Sequence, residues 1–150
     1  MNRGWRWWAK RAAIGAAGLM VAIQLVPYGR DHSNPAVVSE PDWDSARTRE
    51  LAAAACFDCH SNEVNWPWYS NIAPISWKIQ SGVDSGRDEL NYSEYDPNEE
   101  HFAESAESVR DGEMPPGDYL ILHPGARLSA SEKQELIDGL VATFGDEGSD

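Results

Sequence analysis

One pentapeptide constrains this chain more than any other feature: Cys56-Phe57-Asp58-Cys59-His60. The chain has 150 residues and two cysteines, and this motif contains both of them. Two thiols separated by two residues on one helical turn can form thioethers with the two vinyl groups of a single haem. A histidine directly after the second thiol can then bind the iron. The motif therefore predicts one covalent haem c, attached through Cys56 and Cys59, with His60 as the proximal iron ligand.

Other chemistries of a Cys-x-x-Cys pair explain the motif less well. A structural zinc site needs four ligands, and the sequence has no second Cys or His pair at the usual spacing. A thioredoxin-like dithiol is the stronger rival, but that fold places the pair after a β-strand, whereas an alanine-rich helical segment precedes it here. A plain disulfide between Cys56 and Cys59 would leave His60 without a role.

The first 28 residues differ in composition from the rest of the chain. Four basic residues precede an apolar run over 12–26, which is typical of a signal peptide or a signal anchor. Trp5, Trp7 and Trp8 are placed as interfacial aromatic residues would be, and no small-x-small cleavage site follows Val26. We expect an uncleaved transmembrane anchor in the bacterial inner membrane through residues 12–28, with a cleaved signal peptide as the alternative.

Charge sets the expected orientation and compartment. The basic N-terminus is predicted to stay cytoplasmic, so the C-terminal domain would lie in the periplasm, where c-type haem attachment is also expected. All 25 acidic residues follow residue 28, against eight basic ones, which gives this part a net charge of −17. Nucleic-acid binding is excluded because phosphate contacts need a basic surface. The acidic charge either steers a basic redox partner protein or simply keeps a small domain soluble.

Periodicity and capping residues predict a mostly α-helical domain. One helix should begin at Asp44 or Ser45 and run into the cysteine motif, and a second is predicted over 75–90. Helices are also predicted over 99–111 and, with Ser129 and Glu132 in capping-box spacing, from about residue 129 onward. The expected organisation is the following: 1–28 basic tip and signal anchor, 29–43 tether, 44–145 haem-binding domain, and 146–150 acidic tail.

An aromatic, proline-containing stretch over 66–74 cannot be regular helix, and we expect it to wrap the haem edge. Trp66, Trp68 and Tyr69 are candidates for contact with haem, including hydrogen bonds to a propionate, although ordinary core packing would also explain them. A backbone carbonyl in this stretch is expected to accept a hydrogen bond from Nδ1 of His60, with Pro74 as the candidate for proximity.

Met114 is the predicted distal iron ligand. Its thioether is a good axial ligand for haem iron, and the two prolines that follow keep it out of a helix. His123, in Leu122-His123-Pro124, is the alternative distal ligand, and an open or water-bound position is the third possibility. His32 and His101 are expected to be solvated side chains rather than ligands.

With these segments in view, the chain resembles the bacterial haem-binding domain family of small, membrane-anchored, cytochrome-c-like proteins. The resemblance extends over most of residues 24–144 and implies a c-type haem domain with cytochrome-c-like helices. The segments over 66–70 and 114–116 are more specific than the pentapeptide, which all c-type cytochromes share. The matching stretches are 56–63, 66–74, 86–87, 90–94, 112–116 and 122–124.

Two functions follow from the choice of distal ligand. With His60 and Met114 both on the iron, the protein would be a one-electron carrier and not an enzyme. With a weak or absent distal ligand, it would be a haem-based peroxidase or a gas or redox sensor, and a peroxidase would also need a distal acid or base. A dithiol oxidoreductase that uses Cys56 and Cys59 without haem is the third hypothesis.

Overall fold

The structure is a computed structural model that describes residues 3–145, with the side chain of Arg3 left out of the description. Within this range the regular structure is helical, and the one β-type pairing is an isolated parallel bridge between Ser39 and Glu94. The predicted mostly α class is therefore confirmed. The helices are α1 Arg3–Ile23, α2 Ala46–Ala55, α3 Phe57–His60, α4 Ile75–Glu89, α5 His101–Asp111, α6 Tyr119–Leu122 and α7 Ala130–Phe144.

The expected N-terminal helix forms, but its predicted role as a membrane span is not supported. Helix α1 includes the basic residues Arg6, Lys10 and Arg11 as well as the apolar run. Among the described residues, no helix has both the length and the apolar character that crossing a membrane requires. The physical reason is that the helix includes the basic N-terminal residues, so the uncharged apolar run within it is short.

Two compact units make up the described chain. The first combines residues up to 32 with residues 66–82. Within it, the side-chain amide of Gln24 donates to the carbonyl of Ala73 (2.8 Å) and accepts from the Ala73 N–H (3.0 Å). Gly29 lies directly against the carbonyl of Ser76, where an added Cβ would be 2.4 Å from the oxygen. The chain after α1 is thus held to the start of α4.

The second unit combines residues 33–65 with residues 83–145 and contains the main core. Helix α7 packs against both α2 and α5. Gly139 permits the close approach of α7 to α2, because an added Cβ would lie 2.1 Å from Oγ1 of Thr48. The buried apolar side chains of this core are Leu51, Ala52, Ala55, Phe57, Leu90, Tyr92, Phe102, Ala106, Val109, Leu136, Ile137 and Leu140.

Capping residues begin or end three helices of this unit. Ser45 caps α2 by accepting a hydrogen bond from the N–H of Thr48. Ser129 and Glu132 form the predicted capping box at the start of α7. Gly112 ends α5 with a left-handed conformation (φ 79°), which a residue with a Cβ adopts only at a cost in free energy.

Part of the predicted tether is built into the second unit. The N–H groups of Val38 and Ser39 donate to the carbonyl of Ser93, and the N–H of Tyr95 donates back to Ser39. Trp43 packs against the aromatic rings of Phe57 and Tyr92. The segment that leads to α2 is therefore fixed to the loop after α4. The acidic tail predicted over 146–150 lies outside the described residues.

Candidate haem site

The cysteine motif forms one short helical turn directly after α2. Cys56 ends α2 by donating its N–H to the carbonyl of Ala52 (2.8 Å), and α3 begins at the next residue. The N–H groups of Cys59 and His60 both donate to the carbonyl of Cys56 (3.1 and 3.0 Å). Both cysteines are free thiols. Residues 56–60, here called the attachment turn, thus have the helical conformation that the motif predicts.

His60 is held on two sides by the segment that follows α4. Its Nδ1 lies 3.3 Å from the carbonyl oxygen of Leu90, and its own carbonyl accepts from the N–H of Tyr92 (2.8 Å). The Nδ1 partner is therefore Leu90, and the expectation that this carbonyl lies in the stretch 66–74, near Pro74, is wrong. The physical reason is that Leu90 directly follows α4, where carbonyl groups have no partner within the helix.

The last turn of α4 lies directly on the attachment turn. An added Cβ at Gly86 would be 2.7 Å from the carbonyl oxygen of Cys59 and 3.0 Å from its Cβ, so only glycine fits there. The next residue, Arg87, donates from Nε to the carbonyl of Ser61 (2.9 Å). Gly86 therefore permits the close approach of α4, whereas Gly82 has no neighbour within 4 Å of an added Cβ.

Burial sets the protonation of the attachment turn. It raises the pKa of Cys56 to about 12, with a smaller contribution from the neighbouring Cys59, and it also raises the pKa of Cys59. Burial lowers the pKa of His60, against the opposing effect of its hydrogen bond to Leu90. Both thiols are thus protonated and the imidazole is neutral at pH 7, and neutral imidazole is the form that binds a metal.

Met114 lies on an exposed segment between α5 and the last helices. Its N–H and that of Glu113 both donate to the carbonyl of Ser108, so the chain turns away at once from the end of α5. The peptide bond from Met114 to Pro115 is cis. The side chain of Met114 is 37 % exposed, and those of Ile121 and Leu122 are 68 % and 55 % exposed. Residues 113–123, here called the Met114 segment, therefore present apolar side chains that the polypeptide does not cover.

One hydrogen bond joins the Met114 segment to the attachment turn. The hydroxyl of Tyr119 donates to Oδ2 of Asp58 (2.7 Å), and Asp58 lies between the two cysteines of the motif. Burial, and then this hydrogen bond, raise the pKa of Tyr119, so its hydroxyl is a permanent donor. The ring of Tyr119 also stacks on that of His123, with the centroids 3.9 Å apart and the planes at 11°. Met114, Tyr119 and His123 thus share one segment with a direct contact to the motif.

The aromatic residues predicted to line the haem belong to the other unit. Trp66 stacks on the ring of His32 at 4.7 Å between centroids, and Nε2 of His32 lies 3.2 Å from the carbonyl of Ser70. Trp68 is 76 % exposed and meets Tyr69 edge to face at 5.7 Å. Pro74 follows Ala73 through a cis peptide bond. The role of these residues toward haem stays a prediction.

Comparison with family models identifies the family of this chain. A model described as a haem-binding domain matches residues 18–142, which is well over half of the sequence. The chain belongs to this haem-binding domain family. The match confirms the resemblance seen in the sequence and supports a haem cofactor. Neither the comparison with curated proteins nor that with solved structures finds a match.

The attachment turn of this haem-binding domain has features that suit a c-type haem. Two unpaired thiols and a neutral imidazole lie within one short helical stretch, as two thioethers and one proximal ligand would require. The Nη2 group of Arg87 is buried and has no hydrogen-bond partner within residues 3–145. A carboxylate is the partner that such a group needs, and haem carries two propionates. The residues present therefore fit the group.

Two contacts of the haem-binding domain were missed by sequence reasoning. The Leu90 carbonyl could not be identified because any residue type offers a carbonyl, and the position where α4 ends decides which one reaches His60. The contact from Tyr119 to Asp58 joins residues 61 positions apart. The one available signal was that Asp58, an acidic residue inside a buried motif, needs a hydrogen-bond donor nearby.

Proposed function

We propose that this haem-binding domain is a c-type cytochrome that carries single electrons. Cys56 and Cys59 would hold one haem through thioether bonds, with His60 and Met114 as the two axial ligands of the iron. When bound, the haem supplies one-electron redox chemistry. The protein residues attach it, orient the proximal ring and occupy the distal position.

The orientation of His60 is the observation that carries the proposal. With Nδ1 directed to the carbonyl of Leu90, the proton belongs on Nδ1, and Nε2 has the lone pair that a metal requires. Proximal histidines of metal sites usually donate their second N–H in this manner, which fixes the ring and raises its basicity. The contact between His60 and Tyr92 holds the backbone at the same point.

The protonation of the cysteines argues against a dithiol oxidoreductase. Such enzymes need a thiolate at neutral pH, and their motifs lower the thiol pKa through a helix N-terminus or a neighbouring cation. Here burial raises the pKa of both Cys56 and Cys59, and the acidic Asp58 raises that of Cys59 further. Reaction with vinyl groups, catalysed by a dedicated attachment system, is compatible with such thiols, whereas spontaneous disulfide exchange is not.

The Met114 segment supports a methionine as the distal ligand. Met114 stays 37 % exposed in a segment that has other uncovered apolar groups, which a porphyrin face would bury. A methionine ligand raises the reduction potential and leaves no open position for a substrate. Both properties suit an electron carrier more than a peroxidase or a gas sensor.

Arg87 supports a place for the propionates. Its Nε is used by the carbonyl of Ser61, and its buried Nη2 is the group that lacks a partner. A charge-assisted hydrogen bond to a carboxylate would satisfy it. Arg87 would then hold a propionate next to the attachment turn.

We also propose that the domain functions in the periplasm, to which its N-terminal segment directs it. The basic N-terminus and the apolar run that follows support export, and covalent haem attachment fits an extracytoplasmic compartment. The net charge of −17 beyond residue 28 suits a redox partner with a basic docking surface. Fractionation of cells that express the full chain, with haem staining after denaturing electrophoresis, tests the compartment.

The visible absorption spectrum of the purified holoprotein tests the function. Denaturing electrophoresis should leave haem on the wild type and remove it from Cys56→Ser/Cys59→Ser, because only thioethers survive denaturation. The oxidised wild type should be low-spin and show the weak red charge-transfer band of a bond between ferric iron and methionine sulfur. This band should vanish in Met114→Ala and persist in Met20→Ala, the matched methionine control on α1.

The alternative functions predict different spectra. A high-spin wild type that binds carbon monoxide without delay would support a peroxidase or a gas sensor instead. A low-spin wild type in which only His123→Ala alters the spectrum would support bis-histidine ligation. Haem that denaturation removes from the wild type would contradict the c-type attachment altogether.

A further inference from the structure

Tyr119 touches both the attachment turn and the alternative distal ligand. Its hydroxyl donates to Oδ2 of Asp58 at 2.7 Å. The other carboxylate oxygen, Oδ1, accepts from the N–H of Asn65 at 2.9 Å. Asp58 is therefore fixed between the two cysteines by contacts on both sides. The hydroxyl of Tyr119 joins the Met114 segment to this fixed point.

His123 is bound to the same tyrosine rather than to the attachment turn. The rings of Tyr119 and His123 are nearly parallel and 3.9 Å apart. Nδ1 of His123 lies 2.9 Å from the carbonyl of Tyr119, and the backbone N–H of His123 donates to the same oxygen at 3.2 Å. A carbonyl can only accept, so Nδ1 of His123 has the proton and Nε2 has the lone pair. This imidazole has the tautomer of an iron ligand but is held one helical turn from Tyr119.

Met114 and His123, the two candidates for the distal position, lie on either side of Tyr119 in one segment. Within this segment Met114 has only backbone hydrogen bonds, to Ser108, whereas His123 has a stacked ring and two bonds to Tyr119. Freeing the imidazole requires loss of the stack with Tyr119, and separating the segment from the attachment turn requires loss of the bond between Tyr119 and Asp58. Both costs depend on the same side chain.

We propose that Tyr119 is a positioning residue that selects Met114 over His123 as the distal ligand. Its hydroxyl keeps the Met114 segment at the attachment turn, and its ring keeps His123 in place within the segment. This inference rests on the proposed function, since it presupposes a haem bound at Cys56, Cys59 and His60.

Three holoprotein variants separate the two contacts of Tyr119. Tyr119→Phe keeps the ring and loses the hydroxyl, Asp58→Asn keeps an acceptor for that hydroxyl, and Tyr119→Leu loses both contacts. Tyr95→Phe is the matched control, because Tyr95 lies in the core with its ring 4.9 Å from that of Phe102. The readouts are the methionine charge-transfer band, the reduction potential and the displacement of Met114 by added imidazole.

The expected results differ between the variants. Tyr119→Phe should bind added imidazole about tenfold more tightly than the wild type, because a charge-assisted hydrogen bond that holds the segment is lost. Asp58→Asn and Tyr95→Phe should change this affinity less than about threefold. Tyr119→Leu should stay low-spin, lose the methionine band and have a lower potential, as ligation by two histidines requires. Adding His123→Ala to Tyr119→Leu should abolish the low-spin spectrum that ligation by two histidines produces.

Other outcomes would overturn the inference. Wild-type imidazole affinity in Tyr119→Phe excludes the role of the hydroxyl, and this variant keeps the ring, so it tests the proposal even if Tyr119→Leu does not fold. A full methionine band in Tyr119→Leu excludes selection by the ring. Selection of His123 is also excluded if Tyr119→Leu is low-spin without the methionine band and the added His123→Ala substitution leaves its spectrum unchanged. A wild type that lacks the methionine band, or keeps it in Met114→Ala, instead refutes the proposed distal ligand.

Discussion

The two sides of the attachment turn are held by different kinds of contact. On the His60 side, the end of α4 and the residues after it contact the turn through backbone atoms: the carbonyl of Leu90, the N–H of Tyr92 and the bare Cα of Gly86. On the side of the Met114 segment, the described contact is one bond between two side chains, Tyr119 and Asp58.

This difference indicates which part of the site is constant and which can be adjusted. A backbone contact survives most substitutions, because every residue type except proline offers the same N–H and carbonyl. A contact between side chains disappears with one substitution. The proximal geometry should therefore tolerate many sequence changes, whereas the distal ligand should respond to single ones.

Gly86 is the exception on the His60 side, and its replacement should have the largest effect. In Gly86→Ala the new Cβ would lie 2.7 Å from the carbonyl oxygen of Cys59, and a backbone atom cannot yield as a flexible side chain would. We expect the free energy of unfolding to fall by about 2 kcal/mol, because the overpacking outweighs the gain in helix propensity. Urea unfolding of the holoprotein measures the change, and the yield of attached haem should fall with it.

Gly82→Ala is the matched control on the same helix. An added Cβ there meets no atom within 4 Å, so the substitution should stabilise α4 by up to about 1 kcal/mol. Equal effects of the two substitutions would show that helix propensity alone decides the result, and the close contact of α4 with the attachment turn would then be wrong.

Ile121→Ser should have an intermediate effect that appears only when haem is bound. Ile121 is 68 % exposed in the polypeptide, so the apoprotein should change by less than about 0.5 kcal/mol. If haem covers the Met114 segment, the holoprotein should lose about 1 kcal/mol, since part of an isoleucine side chain is then buried. Thermal unfolding of both forms measures the difference.

Val38→Ser provides the comparison for Ile121. Val38 is 78 % exposed and precedes α2, outside the Met114 segment. Its replacement should affect the apoprotein and the holoprotein alike. If Ile121→Ser also changed the stability of the apoprotein and the holoprotein by equal amounts, the exposed apolar groups of the Met114 segment would not face the haem.

The contrast between the two sides also explains how much could be predicted. Ser45 and the pair Ser129 and Glu132 act within their own helix ends, so local sequence was sufficient to identify them. The attachment turn is equally local, because its five residues lie together in the chain. These elements follow from hydrogen bonds between residues at most four positions apart.

The partners of the attachment turn depend instead on where distant segments meet. Leu90 reaches His60 because α4 ends at Glu89, and Tyr119 reaches Asp58 across 61 positions of sequence. No periodicity in the sequence predicts either contact. The N-terminal helix failed as a predicted span for a related reason, since a short apolar run and a basic tip form one continuous helix.

An ion pair next to Phe57 of the attachment turn should give the smallest effect, and one that depends on pH. Arg49 donates to Glu40 through Nε (2.9 Å) and Nη2 (2.5 Å), and its Nη2 also lies 3.1 Å from Glu63. Its guanidinium is 5.3 Å from the ring centre of Phe57, the first residue after Cys56. The arginine therefore links the segments before and after the attachment turn through charge rather than through backbone contacts.

The hydrogen bond from Arg49 holds the pKa of Glu40 below its ordinary value of 4.5. A carboxylate whose pKa is lower in the folded state adds stability above its unfolded pKa and loses it as the pH falls through the folded value. Glu40→Gln should thus lower the free energy of unfolding by less than about 1 kcal/mol at pH 7, since the pair is partly exposed, and the difference should shrink to nothing in acid. Urea unfolding of wild type and variant from pH 7 to pH 3 measures it, with Glu50→Gln, on the more exposed pair with Arg47, as the control. A difference that persisted in acid would mean that Glu40 stabilises the segment before α2 by packing rather than by its charge.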